Sequence, residues 1–147
     1  MKICLISCSK SKQSFACKAK QMYEKSLRFS LSFKFAKCVL KADKIFILSA
    51  KYGLLEIDEM IEPYDKTLNK MKRSEQKLWA EQVLEVLNKK CDLSADEFTI
   101  LAGKNYYKDL ITKLKNYNLP LGNKALGEGN SYLKKKLIEF GVYNYDK

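Results

Sequence analysis

A chain of 147 residues, 46% hydrophobic and 31% charged, has the composition of one folded α/β-sized domain (1–147), not of a disordered segment. No apolar run approaches the roughly 20 residues that cross a bilayer, and Ile3 to Ile6 is too short for a signal-peptide core, so the expected location is the cytoplasm and no membrane partner is expected. The net charge of +11 is almost all lysine, which lacks the planar fork of arginine and so argues against sequence-specific base reading. It leaves two meanings open: attraction to a phosphate-bearing partner, or a lysine-rich solvated surface.

The first predicted strand is 2–7, KICLIS, followed at once by Ser7-Cys8-Ser9-Lys10-Ser11-Lys12. A long amphipathic helix is predicted from Cys17 to Leu40, with Tyr23, Leu27, Leu31, Phe35, Ala36, Val39 and Leu40 near helical spacing. The apolar run 44–48 predicts a second strand buried on both faces. It breaks into Ser49-Ala50-Lys51-Tyr52-Gly53, and about fifteen residues without a clear period follow, including Asp58, Glu62 and Pro63-Tyr64-Asp65. A loop that long inside a compact domain is usually functional.

A second helix is predicted over 74–89, N-capped by Ser74, with Leu78, Trp79, Val83, Val86 and Leu87 as its buried stripe. The third strand is 98–101, ending in Ala102-Gly103-Lys104-Asn105-Tyr106-Tyr107, and a third helix covers 106–116. Leu119-Pro120-Leu121 reads as a fourth, short strand before the glycine-rich 122–129, and a last helix over 130–140 precedes a polar tail.

Strands alternating with helices imply parallel pairing and right-handed crossovers. The expected fold is therefore an α/β three-layer sandwich around a mainly parallel four-stranded sheet, in β-α-β-α-β-α-β-α order. The polar loops after the strands would then meet along one sheet edge, where open α/β sheets bind ligands. Candidate binding residues are Ser7, Ser9, Lys10, Ser11, Lys12, Ser49, Tyr52, Gly53, Tyr64, Gly103 and Tyr106. Hydroxyls, ammonium groups and backbone N–H groups together suit a phosphate or a carboxylate. The glycines and GK[ST] of a Walker loop are missing, so an ATPase is not expected.

With no histidine in the chain, acid–base chemistry falls to carboxylates, lysine, tyrosine or cysteine. Lys51 is a candidate phosphate ligand, electrophile or, if desolvated, nucleophile. Asp65, beside the stiffening Pro63-Tyr64, is the preferred acid or base, and Cys8 between two serines is a candidate nucleophile. Five cysteines without a CxxC pair, and no histidine, give neither a disulfide framework nor a zinc site; no metal or cofactor is expected. Nothing in the sequence indicates an oligomeric state.

SCSKSK after the first strand, Tyr23-Glu24-Lys25-Ser26, ILSAKYGLL, EPYDKTL, Trp79-Ala80 and LAGKNYYKDL resemble the DUF6884 family of small bacterial and phage domains over nearly the whole chain. A more distant likeness is to the core domain of archaeosine synthase, a tRNA 7-deazaguanine-modifying enzyme. Cys17, Tyr23 and Ser26 fall at its motif positions, while Gln21-Met22 stand in place of Lys-Pro and Phe29 in place of His. Both look similar to uracil-DNA-glycosylase-like α/β domains. The resemblance implies that Tyr23 and Ser26 join the site. It also implies that the ligand is a base, nucleoside or nucleotide, alone or within a nucleic acid. Two functions follow as expectations: an enzyme acting on that ligand by glycosidic cleavage or group transfer, or a non-catalytic module that sequesters it.

Overall fold

The computed structural model describes residues 1–142; the polar tail beyond lies outside the described residues. β1 (Lys2–Ser7), β3 (Lys44–Ser49) and β6 (Glu97–Leu101) form the parallel centre of the sheet. β2 (Cys17–Lys18) lies outside it, β4 (Gly53–Glu56) pairs antiparallel with β3, and β7 (Asn116–Asn118) pairs parallel with β6. The strand order is β4-β3-β1-β6-β7. The sheet thus has five strands and is mostly, not wholly, parallel, where the sequence predicts four.

The central strands are apolar over 3–6, 45–48 and, apart from Thr99, 98–101, as strands covered on both faces are. Ile3, Leu5, Phe46, Leu48, Phe98 and Ile100 pack against α3 (Arg73–Lys90) through Trp79, Val83 and Leu87. Cys4, Ile6, Ile47 and Leu101 face α2 (Leu27–Lys34) and α5 (Leu126–Glu139) through Phe29, Leu31, Leu133 and Leu137.

Three departures from the predicted elements shape the site. The helix predicted over 17–40 is broken. Cys17–Lys18 pairs with β5 (Met60–Ile61), α1 (Ala19–Met22) is one turn, and α2 begins at Leu27. Ser26 caps α2 by accepting a hydrogen bond from Phe29 N, and a π-helical turn, Phe35–Val39, extends it. The apolar spacing runs through the break because Tyr23 is itself fully buried.

The residues after Gly53 are not a featureless loop. Ser49 pairs with Gly53 across the three-residue turn Ala50-Lys51-Tyr52, and Gly53, at φ +74°, takes the left-handed conformation that such a hairpin demands.

The third departure is at the far edge, where β7 ends before Pro120, which has no N–H to give to a ladder. The segment 119–121 is therefore not a strand, although Leu121 is buried. Smaller shifts have local causes. Lys72, not Ser74, occupies the α3 N-cap, because Glu75 folds back to accept from Lys72 N at 3.0 Å. Leu78 and Val86 are exposed, and Gln76 and Ala80 are buried in their place. The helix predicted over 106–116 is split into α4 (Lys104–Tyr107) and a 3-10 turn, Ile111–Lys113. The last helix starts earlier than predicted, and Gly127 and Gly129 lie inside it.

Candidate functional site

The C-terminal ends of β1 and β3 lie side by side, because Ser7 pairs with Leu48 and Cys8 N donates to Leu48 O at 2.9 Å. Around them gather Cys8, Ser49 and three tyrosines from distant parts of the chain, Tyr23, Tyr64 and Tyr106. Tyr64 is the hub. Its hydroxyl lies 2.7 Å from Ser49 Oγ and 2.7 Å from the Tyr23 hydroxyl.

Lone pairs set the direction of these hydroxyl–hydroxyl hydrogen bonds. Ser49 Oγ already accepts from Tyr52 N (3.0 Å) and Lys51 N (3.3 Å), which uses both of its acceptor positions. Its own proton is thus left to donate to Tyr64, and Tyr64 in turn donates to Tyr23. The backbone carbonyl of Ser49 accepts from Trp79 Nε1 at 2.8 Å, so α3 fixes the residue from the other side.

Cys8 makes the second link. Its thiol, half-buried, donates to the Tyr106 hydroxyl at 3.6 Å, and Leu68 N donates to the same phenol oxygen at 3.5 Å. Gln76 Nε2 holds Leu68 O at 2.8 Å, and the Trp79 ring meets Tyr106 edge-on at 5.6 Å. The EPYDKTL segment is therefore stitched down at both ends, by Tyr64 at one and Leu68 at the other.

Burial pushes the Tyr106 hydroxyl up to about 12, and it pushes Tyr23 and Tyr64 further up still. All three phenols are protonated at neutral pH. Tyr106 can donate to a thiolate at Cys8, but none of the three is a ready base.

On the outer side Lys12 Nζ sits 4.5 Å from the centre of the Tyr64 ring, and Tyr52 meets that ring edge-on at 5.6 Å. Tyr52 is locked to the loop: its hydroxyl accepts from Glu62 N at 3.2 Å. A cavity of about 250 Å³ opens beside this corner, walled by Lys51, Tyr52, Gly53, Lys66, Glu75 and Trp79. A wider groove of about 480 Å³ lies at the opposite end of β3, rimmed by Asp43, Glu56, Asp58 and Glu59. Its charge is wrong for a phosphate.

The structure thus brings together Cys8, Lys12, Tyr23, Ser49, Tyr52, Tyr64 and Tyr106. Ser7 ends β1 half-buried just beside them, and the exposed Lys10 follows on the same loop. Ser9 Oγ donates to Ser11 O at 2.8 Å, which shapes the loop. That loop leads into β2, so no helix N-terminus adds its dipole there.

Lys51 is exposed with its ammonium 5.2 Å from the Tyr52 ring, and Asp65 is exposed on the loop. Ser26 is occupied as the α2 cap. Gly103, at φ −73°, precedes α4 in a conformation open to any residue; a Cβ there would meet nothing within 4 Å. Asp58 is drawn off by Lys20 at 3.2 Å. The sequence does not announce Gln76, Trp79 and Leu68 as positioning residues. A glutamine inside an otherwise apolar helical stripe is the one signal that points to them.

Comparison with known families matches residues 3–135 to a family described as "Family of unknown function (DUF6884)", and the chain belongs to it. No curated protein matches it, and no solved structure does. Among the described residues no group of His, Cys, Asp and Glu has the arrangement to hold a metal ion, and no helix is long and apolar enough to cross a membrane.

Proposed function

We propose that this member of the DUF6884 family binds a base-bearing anion at the C-terminal ends of β1 and β3. The ligand is a nucleoside, a nucleotide or a base within a nucleic acid, and the protein acts on it by glycosidic cleavage or group transfer. The observation that carries the reading is the environment of Tyr64: a flat ring under an ammonium at 4.5 Å, its hydroxyl tied at 2.7 Å to both Ser49 and Tyr23. Stacking surface, cation and neutral hydrogen-bonding groups meet at one corner, which is what a base with attached phosphate requires.

Lys10, Lys12 and Lys51 hold phosphate, Tyr52 and Tyr64 face the base, and Cys8 is the nucleophile, its thiol donating to the Tyr106 hydroxyl at rest and its thiolate accepting from it. Asp65 supplies acid–base function from the loop. The distant likeness to archaeosine synthase and to uracil-DNA-glycosylase-like domains supports the same ligand class. Free thiols at all five cysteines suit a reducing cytoplasm.

One observation favours the non-catalytic alternative, a sequestering module. The phenols at the corner are held protonated and Asp58 is paired elsewhere, so among the described residues no base stands beside Cys8.

The experiment is a thermal-shift panel of bases, nucleosides, nucleotides and short oligonucleotides, followed by product analysis of every hit. A ligand at about 100 times its Kd adds roughly 2.7 kcal/mol, a shift of several degrees. Lys51→Ala then separates the two readings: an enzyme loses turnover beyond its loss of affinity, a binder loses affinity alone. Silence across the panel overturns both.

A further inference from the structure

The excess charge of the chain is not spread evenly. From Lys25 to Ala42 there are five cations and no carboxylate, and from Leu119 to Glu139 there are four cations and two carboxylates, with Lys136 paired to Glu139 at 3.5 Å. These two stretches contain α2 with its π-helical turn and α5, which pack on each other over one face of the sheet. On the opposite face, α3 carries Arg73, Lys77, Lys89 and Lys90 against Glu75, Glu81 and Glu85, so it is close to neutral. Most of the +11 therefore resides in one helical layer.

The layer is also aromatic. Lys37 Nζ lies 5.5 Å from the centre of the Phe33 ring, and Lys124 Nζ lies 5.0 Å from that of Tyr132. Arg28 is taken up internally: it donates to Asn130 Oδ1 at 2.7 Å and to Leu126 O at 2.9 Å. What faces outward is lysine, which attracts phosphates without reading base edges.

We infer that the α2–α5 layer is a docking surface for the phosphodiester backbone of a nucleic acid. The helical stretch Leu27–Val39 extends about 20 Å at 1.5 Å per residue, on the order of six phosphates at 3.4 Å per nucleotide. α2 begins four residues after Tyr23, so the basic layer starts at the rim of the strand-end site. A strand lying along it would present a base to that corner. This last step rests on the reading of the site given above; the docking surface itself rests on the charge asymmetry.

The test compares two triple variants of the full chain by fluorescence anisotropy with a labelled oligothymidine and a labelled hairpin duplex, across a salt series. K37Q/K41Q/K135Q lies on the proposed surface, and K77Q/K89Q/K113Q removes the same charge from the other face. Both are checked for an unchanged melting temperature. Every phosphate that a variant ceases to neutralise lowers the slope of log K against log salt by about 0.7 on single strands and about 0.9 on duplex. For the first variant the slope is expected to fall by about two to three and the affinity by at least tenfold; for the second the affinity falls less than twofold.

Equal weakening in both variants, or none in the first, overturns the inference. Binding of mononucleotides with no binding of either polymer also overturns it, yet leaves the strand-end site standing. Polymer binding that depends on α2–α5, with no mononucleotide response, supports the docking surface and counts against the site. Preference for anionic phospholipid vesicles over both oligonucleotides overturns the assignment to nucleic acid.

Discussion

Tyr64 and Ser49 share a hydrogen bond of 2.7 Å between side chains that are fifteen positions apart. This bond closes the EPYDKTL segment over the sheet edge. It ties the candidate site to the core, because the Ser49 carbonyl is itself held by Trp79.

Tyr64→Phe keeps the ring and removes the hub of the hydroxyl chain. Two buried hydroxyls, on Ser49 and Tyr23, are each deprived of a partner, and leaving such groups unmade costs about 1–3 kcal/mol. The expected fall in melting temperature is several degrees, measured by calorimetry. An unchanged value would mean that the hydroxyl chain does not hold the loop.

Tyr23, Tyr64 and Tyr106, whose hydroxyls are held away from water, make stability fall at alkaline pH. In the unfolded chain they ionise near pH 10; in the folded protein burial delays this, to about 12 for Tyr106 and beyond for Tyr23 and Tyr64. The folded state then holds more protons than the unfolded one, so the stability is intact below pH 10 and drains away as pH rises above it. Buried Cys4, whose thiol is also pushed up, adds to the decline from lower pH. Absorbance at 295 nm should show a late step of tyrosine ionisation that coincides with unfolding. Complete tyrosine ionisation in the still-folded protein, with no step at unfolding, would contradict it.

Much of this arrangement is legible in the sequence, and the reasons differ by element. β1 and β3 contain continuous apolar runs and β6 one broken only by Thr99, because both faces are covered, and no turn chemistry disguises them. β4 is hidden by its brevity, although the signal is present: an apolar run, four residues, then a glycine, which is the pattern of a hairpin. The break at 23–26 is illegible because a buried tyrosine satisfies helical spacing as well as a helical residue does. Tyr64, Ser49 and Cys8 can be read from their strand-end positions. That Tyr23, Tyr64 and Tyr106 converge is a tertiary fact that no local pattern encodes.

Ser26→Ala tests the division between scaffold and site. Ser26 accepts from Phe29 N at 3.2 Å as the cap of α2, so removing the hydroxyl should cost about 1 kcal/mol. Affinity for any ligand that binds at the strand ends should stay within twofold. A large fall in affinity with little change in stability would move Ser26 into the site.

Gly129 and Arg28 form a coupled pair. A Cβ on Gly129 would collide with the Arg28 guanidinium. Gly129→Ala should therefore displace Arg28 from Asn130 and Leu126 O, offsetting the helix-propensity gain of about 1 kcal/mol. In an Arg28→Ala background the same substitution should stabilise by about that full amount. A double-mutant cycle by denaturant unfolding measures the difference, and additivity would contradict it.

The most direct test of the central claim is chemical-shift mapping of a nucleotide hit on the ¹⁵N-labelled protein. The account predicts that perturbed amides cluster at Ser7–Lys12, Ser49–Gly53 and Tyr64–Leu68, the three segments that meet at the ends of β1 and β3. Perturbations centred instead on the groove between α1 and α2, near Gln21 and Phe33, or on the acidic end of β3 would contradict it.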